Sequence, residues 1–140
     1  MWPFNAKMAQ FIRDNWSRFQ GKRILELGAG TGILAIFLKK LGLEVVTTDY
    51  DDVQIEENIH HNCELNDLQP IQHVRHSWGT TFPSEFLNSF DLVIANDIFL
   101  YTKEYPNLVN TMQQLVRDKS IHCIIGWQRR IEDSMLFFLK

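Results

Sequence analysis

The chain has 140 residues, of which 45% are hydrophobic and 22% are charged, and its formal net charge is −3. These values predict one globular domain over residues 1–140 and exclude the strongly basic surface of a nucleic-acid-binding protein. The sequence contains no apolar run long enough to cross a bilayer, and its first residues lack the pattern of a signal peptide. We therefore predict a cytoplasmic protein with no membrane or nucleic-acid partner.

Strands and helices alternate along the sequence, with short connections between them. Helices are predicted where apolar residues recur every three or four positions, and strands where short apolar runs occur. In chain order these are helix 6–19, strand 23–27, helix 31–41, strand 44–48, helix 52–66, strand 73–76, strand 90–96, helix 106–119, strand 121–126 and helix 131–140. The alternation predicts an α/β, Rossmann-like, doubly wound parallel sheet in the order 3-2-1-4-5. Its ligand site should lie beyond the carboxyl ends of strands one and four.

A glycine-rich turn follows the first strand. The segment from Ile24 to Gly32 reads Ile-Leu-Glu-Leu-Gly-Ala-Gly-Thr-Gly, and a helical pattern begins directly after it. A backbone with so little side-chain bulk allows a nucleotide-like ligand to approach closely. Asp49 ends the second strand and is placed to bind the ribose of such a ligand. The alternative role for Asp49 is to cap the next helix, which Asp51 or Asp52 could do equally well.

The details of this turn favour S-adenosylmethionine over a dinucleotide. The third glycine of a dinucleotide-binding motif would stand at Ile33, whereas this chain has it one residue earlier, at Gly32. No lysine or arginine lies between Glu26 and Lys39, and Glu26 would repel a pyrophosphate. S-adenosylmethionine carries no phosphate and has cationic sulfonium and ammonium groups, so it suits an acid-lined glycine turn.

Three further motifs accompany the glycine turn. Trp2-Pro3 precedes the first helix, Ser77-Trp78-Gly79 follows the third strand, and Ala95-Asn96-Asp97 ends the fourth. In order and spacing, the chain resembles the eukaryotic seven-β-strand protein methyltransferases, of the methyltransferase family 16 type, that modify lysines on chaperones and translation elongation factors. The resemblance covers nearly the whole chain. It implies an enzyme that transfers a methyl group from S-adenosylmethionine to a lysine side chain of a protein substrate.

The resemblance also implies which residues bind the donor. Trp2 would pack against its methionine end, Asp49 would bind the ribose hydroxyls, and Trp78 would flank the adenine. Ala95 would line the sulfonium side. The complete predicted donor-binding set is Trp2, Glu26, Gly28, Ala29, Gly30, Asp49, Trp78 and Ala95.

The catalytic candidates follow strand four, where the family carries an Asp/Glu-x-x-Tyr/Phe motif. Here Asp97-Ile98-Phe99 is followed by Leu100, and the tyrosine comes one place late, at Tyr101. A one-residue bulge could return Tyr101 to the site, Phe99 could supply the aromatic wall instead, or the motif could be degraded. We carry Asp97 and Tyr101 forward as catalytic candidates. Because the methyl group is already activated on positive sulfur, the protein must chiefly align a neutral amine and exclude water.

Two other functions remain open at this point: a small-molecule N-methyltransferase and a non-catalytic module that binds S-adenosylmethionine. Methyltransferases of DNA bases are disfavoured because the segment after strand four contains no proline. No metal site is predicted, because the histidines are not accompanied by a Cys/His cluster at metal-binding spacing.

The end of the sequence carries a separate expectation. Relatives in the resembled family continue into an antiparallel pair, strands 6 and 7, which residues 131–140 do not include. We therefore expect a C-terminally incomplete fragment, or a shortened member, in which strand 121–126 is an uncovered edge of the sheet. An uncovered apolar edge invites self-association, whereas the full-length protein should be a monomer.

Overall fold

The computed structural model describes residues 3–118 and 120–139, in which α-helices alternate with parallel strands. The helices and strands are α1 Pro3–Asp14, β1 Arg23–Leu27, α2 Ile33–Lys40, β2 Glu44–Asp49, α3 Val53–Glu64, β3 His73–Arg75, β4 Leu92–Asn96, α4 Tyr105–Leu115 and β5 His122–Gly126. Short 3₁₀ helices lie at Trp16–Arg18, Ser84–Phe86 and Thr102–Glu104, and a longer one lies at Glu132–Leu139.

The five strands form one sheet in the order β3-β2-β1-β4-β5, and every neighbouring pair is parallel. The predicted α/β fold and strand order are therefore confirmed. Leu27 lies opposite Thr48 of β2 and Ala95 of β4, so these strands end at the same level. The segments that follow β1, β2 and β4 consequently meet at one edge of the sheet, which is where the ligand site was expected.

A hydrophobic layer covers each face of the sheet. Ile24 and Ile94 belong to the layer shared with α1, α2 and α3, whereas Leu25 and Val93 belong to the layer shared with α4. This alternation is the period-two pattern of a strand that is buried on both faces. Glu26 interrupts the otherwise apolar β1, and its side chain is only 3% exposed.

The predicted helix boundaries were wrong at several ends. Helix α1 begins at Pro3 and stops at Asp14, because the side chain of Asn15 donates a hydrogen bond to the carbonyl of Phe11 and the chain turns into a 3₁₀ helix. Phe11, an apolar residue of α1, is 37% exposed. The predicted last helix is 3₁₀ rather than α-helical.

Within the described residues, strand β5 pairs only with β4, so its other edge has no strand partner among them. A groove beside this edge is lined by α1 residues and by the end of β5. No helix within residues 3–118 and 120–139 is both long and apolar enough to cross a membrane.

Candidate active site

A cavity of about 260 Å³ opens where β1, β2 and β4 end. Its walls include the glycine turn after β1, the last residue of β2 and the segment that follows β4. Its lining is Asn5, Glu26, Gly28, Ala29, Gly30, Thr31, Asp49, Trp78, Asn96, Asp97, Ile98, Leu100 and Tyr101. Six of the eight predicted donor-binding residues and both catalytic candidates therefore line one cavity.

The glycine turn is fixed by backbone contacts with β2. The amides of Gly28 and Ala29 both donate to the carbonyl of Thr48, at 2.9 and 3.1 Å. Gly28 has a φ of +73°, and a Cβ atom placed there would lie 2.7 Å from Cγ2 of Ile98. Glycine is therefore required at this position both for its backbone conformation and for the close approach of the segment after β4.

Asp49 connects the second strand to the glycine turn. One carboxylate oxygen, Oδ2, accepts a hydrogen bond from the Gly30 amide at 2.6 Å, and Oδ1 accepts from the Tyr50 amide at 2.7 Å. Helix α3 is capped instead by Asp52, whose Oδ1 accepts from the Gln54 amide at 2.9 Å. The capping role considered for Asp49 is therefore wrong, and its carboxylate lies in the cavity wall.

Glu26 places a second carboxyl group in the same wall, from inside the sheet. Burial raises the pKa of Glu26 to about 8, the backbone amide of Ala35 opposes this shift, and the charge of Asp49 adds to it. Its Oε2 atom is buried and has no hydrogen-bond partner within the described residues. A buried oxygen without a partner can accept a hydrogen bond from a bound ligand, and an ammonium group would satisfy it.

A second cavity of about 450 Å³ adjoins the first and shares Asp49, Trp78 and Tyr101 with it. Its remaining lining residues are Tyr50, His76, Ser77 and Glu104. Trp78 is half-buried between the two cavities, and Tyr50 is 65% exposed at the rim. Together the cavities form an elongated site with an aromatic end and an acidic, glycine-lined end.

The loop that carries Trp78 is fastened to helix α4. The hydroxyl of Thr111 accepts a hydrogen bond from the Gly79 amide at 3.0 Å and lies 3.1 Å from Nε2 of His76. Gln114 accepts from the Phe82 amide at 2.8 Å and donates to the Thr80 carbonyl at 2.9 Å. Because these bonds hold both ends of the loop, the position of Trp78 depends on α4.

Asp97 lies directly after β4 with a φ of +60°, an uncommon conformation for a residue other than glycine. Its side chain is only 5% exposed, and a guanidinium nitrogen of Arg130 lies 2.6 Å from Oδ2. The contact is an ion pair without the alignment of a hydrogen bond, since neither carboxylate oxygen has a hydrogen-bond partner within the described residues.

Of the two aromatic candidates that follow β4, Tyr101 lines the cavities and Phe99 does not. Tyr101 lines both of them and is 66% exposed. Phe99 is 1% exposed and packs beneath the site, with its ring centroid 4.2 Å from that of Phe137. Asp97, at the start of this segment, has a positive φ, and the one-residue bulge considered from the sequence stays a prediction.

The two remaining residues of the predicted donor-binding set are Trp2 and Ala95. Trp2 lies outside the described residues, and Ala95 is fully buried in the sheet, so its neighbour Asn96 lines the cavity instead. Asn96 donates a hydrogen bond to the side chain of Asn5, which ties β4 to α1. This pair and Arg130 were not predicted as site residues from the sequence. The same is true of four residues of the second cavity, Tyr50, His76, Ser77 and Glu104.

The charge of the site is one-sided. Glu26, Asp49 and Asp97 line the first cavity and Glu104 lines the second, whereas no described lysine or arginine lines either one. Within the described residues, no group of three or more His, Cys, Asp and Glu side chains could hold a metal ion. The arrangement therefore suits a cationic ligand with hydroxyl groups near Asp49 and a flat ring near Trp78.

Comparisons with known proteins identify the family to which this chain is similar. A profile of a family described as lysine methyltransferase matches residues 2–140. EEF1A lysine methyltransferase 3 of Xenopus tropicalis is 31% identical over 140 residues, which cover 99% of this chain and 61% of that protein. A histone-arginine methyltransferase of Xenopus laevis is 26% identical over 118 residues, which cover 83% of this chain and 50% of that protein. The chain thus spans between half and three fifths of the length of these two relatives.

Among solved structures, the methyltransferase domain of bacterial CtHen1 is similar with a TM-score of 0.68 and 16% identity. The match covers 87% of this chain and 65% of that one. At this level of identity, the likeness supports the Rossmann-like fold and nothing finer.

Proposed function

The chain belongs to the lysine methyltransferase family, and we propose that it is part of an enzyme that methylates a lysine side chain of a protein. The methyl donor in this proposal is S-adenosylmethionine. The observation that carries it is the elongated site itself, in which a glycine turn, buried carboxyl groups and an aromatic wall meet at the ends of β1, β2 and β4. A donor with a ribose, an adenine and two cationic groups has a partner in this site for each of its parts.

Each part of the donor is assigned to residues on the basis of their chemistry. The carboxylate of Asp49 binds the ribose hydroxyls, and Trp78 lies against the adenine in the second cavity. Glu26, with the backbone of the glycine turn, takes the ammonium group of the methionine end. When bound, the donor supplies a methyl group on positively charged sulfur, so the protein needs no strong base.

Asp97 orients the target amine in this proposal, and Tyr101 forms the aromatic wall of its channel. Asp97 is buried at the end of the cavity, and its carboxylate has hydrogen-bonding capacity that the described residues do not use. Tyr101 is exposed at the boundary of both cavities, where a long side chain from another protein can reach it.

The substrate class is proposed from the relatives. One relative is named for methylation of elongation factor 1A, so we propose a translation factor as substrate, with a chaperone as the alternative protein class. Arginine is the competing acceptor because another relative is named for histone arginine. A small-molecule N-methyltransferase and a non-catalytic donor-binding module are the remaining alternatives.

We propose a cytoplasmic location, and self-association through the uncovered edge of β5 remains a prediction.

The proposal is tested with donor that carries a radiolabelled methyl group, incubated with the protein and a cell lysate. We expect label on protein, recovered as methyllysine after hydrolysis. Methylarginine, a labelled small molecule, or donor binding without transfer would each identify one of the alternatives instead.

A variant separates the catalytic role of Asp97 from donor binding. Asp97→Ala should abolish transfer and leave the calorimetric affinity for S-adenosylmethionine nearly unchanged, whereas Glu85→Ala, which removes an exposed carboxylate away from the site, should change neither. If Asp97→Ala also removes donor binding, Asp97 belongs to the donor site and the assignment is wrong.

A further inference from the structure

The segment that follows β5 brings a positive charge to the site from outside the predicted motif. Arg130 lies 2.6 Å from Oδ2 of Asp97, although the two residues are 33 positions apart in the sequence. The Arg130 side chain is 27% exposed, and the Asp97 side chain is 5% exposed. Arg130 is not among the described residues that line the cavity, whereas Asp97 is.

A carboxylate beside the target amine creates a chemical difficulty. A nearby negative charge favours the protonated form of an amine, and a protonated amine has no lone pair with which to attack the methyl group. The same carboxylate is nevertheless useful, because it accepts a hydrogen bond that fixes the direction of the nitrogen. A methyltransferase that aligns its amine with Asp97 therefore has to weaken the charge of Asp97 without removing its oxygens.

The Arg130 contact provides this compensation. A guanidinium remains positive at every pH at which the protein is folded, so the pair carries no net charge. The ion pair also leaves the carboxylate oxygens without an aligned hydrogen bond, so one of them can accept from an amine in the cavity. A second positive charge close to a lysine is a known way of making its amine neutral and nucleophilic.

We propose that Arg130 is a positioning residue that cancels the charge of Asp97, so that the carboxylate can orient the target amine without holding it protonated. The proposal rests on the function proposed above. Asp49 is another carboxylate of the cavity, and its negative charge acts in the opposite direction to Arg130, whereas the buried Glu26 keeps its proton near neutral pH. Within the described residues, the titratable or charged side chains of this region are Glu26, Asp49, Asp97 and Tyr101 in the first cavity, Tyr50, His76 and Glu104 in the adjoining one, and Arg130 beside Asp97.

The experiment measures the protonation of an amine bound in the site. ¹⁵N-labelled n-butylamine serves as an analogue of the lysine side chain, and its ¹⁵N chemical shift is followed against pH with the protein saturated with S-adenosylhomocysteine. This product analogue lacks the sulfonium charge, so the titration reports the charges of the protein alone. Calorimetry with S-adenosylhomocysteine first establishes that each variant is folded and binds the ligand.

Arg130→Gln and Arg130→Met both remove the positive charge, and Arg130→Met keeps an unbranched side chain. In both, we expect the bound amine to lose its proton at a pH higher than in the unmodified protein by about one unit or more. A shift of one unit corresponds to a roughly tenfold loss of neutral amine near pH 7.5. Arg129→Gln is the matched control, because Arg129 contacts the Glu132 carbonyl at 3.4 Å rather than Asp97, and it should leave the titration unchanged.

Three results would overturn the inference. The first is an unchanged titration in the two Arg130 variants, and the second is an equal shift in Arg129→Gln, which would indicate a general effect of net charge. The third is the absence of amine binding to the unmodified, ligand-saturated protein at about 100 mM n-butylamine. This concentration is well above the roughly millimolar dissociation constants of weak binding. Failure of the unmodified protein to bind S-adenosylhomocysteine or S-adenosylmethionine is a different outcome, since it would contradict the proposed function itself.

Discussion

Glu26 should make the protein less stable as the pH rises, and Glu26→Gln should remove this dependence. The pKa of Glu26 is 4.5 in the unfolded chain and about 8 in the folded protein, because burial disfavours its charged form. The folded protein therefore binds this proton more tightly than the unfolded chain does. The stability that Glu26 contributes is fully present below pH 4.5 and is lost as the pH rises toward 8.

The size of the effect follows from the two pKa values. Between pH 5 and pH 8, the unfolded chain has lost this proton while the folded protein still holds most of it. Each pH unit in this window costs up to about 1.4 kcal/mol, so the free energy of unfolding should fall by roughly 3–4 kcal/mol in total. In Glu26→Gln, this contribution should be absent, because an amide does not titrate.

The assay is urea denaturation of the donor-free protein at half-unit intervals from pH 5 to pH 8. The informative quantity is the slope of the free energy of unfolding against pH, not its absolute value. The amide introduced by Glu26→Gln brings N–H donors beside a position that has no partner within the described residues. This costs about 1–3 kcal/mol, but the cost does not vary with pH. Glu57→Gln, at an exposed position of α3, is the control that removes the same charge from the surface.

Parallel pH profiles for the unmodified protein and Glu26→Gln would refute the reasoning, because Glu26 would then not hold its proton in the folded state. If the profiles differ as expected, a second measurement connects stability with binding. Donor binding at pH 7 should release close to one proton from the unmodified protein and none from Glu26→Gln. Calorimetry in buffers of different ionisation enthalpy measures this number directly.

Two further predictions concern the walls of the site. Asp49→Ala should lower the affinity for S-adenosylmethionine by about 2–4 kcal/mol, because it removes charge-assisted hydrogen bonds, and calorimetry that gives an unchanged dissociation constant would contradict the ribose assignment. Thr111→Val should destabilise the protein by about 1–3 kcal/mol and weaken donor binding about tenfold, because His76 and the Gly79 amide lose their partner on α4. Thr81→Val, at an exposed position of the same loop, is its control, and equal donor affinity in both variants would show that Trp78 does not depend on α4.

The fold was predictable because its signals are local and repeated. Buried strands such as β1 and β4 read as short apolar runs, and the glycine turn marks the passage from β1 to α2. The boundaries were less predictable because they depend on single side chains. Asn15 ends α1 through a hydrogen bond that hydrophobic periodicity does not reveal.

The location of the site was predictable for residues that end a strand or directly follow one. Gly28, Asp49 and Asp97 each lie at the carboxyl end of a strand, so the prediction of parallel strands placed them at the same edge. Ala95 was expected to face the ligand but lies in the core, and the cavity begins one residue later, at Asn96. An offset of one residue is decisive in a strand because successive side chains point to opposite faces.

The charge balance of the site could not be read from the motif, because it depends on residues that are distant in sequence. The motif supplies carboxyl groups, and carboxyl groups alone would hold both a bound cation and a target amine in their charged forms. The three carboxyl groups of the first cavity have different surroundings in the folded protein. Burial keeps the proton on Glu26, the amides of Gly30 and Tyr50 donate hydrogen bonds to Asp49, and a guanidinium lies beside Asp97. Three carboxyl groups thereby acquire three environments, and the proposed function assigns them to the ammonium group, the ribose and the target amine, respectively. The assignment of roles consequently rests on what the fold places beside each carboxyl group.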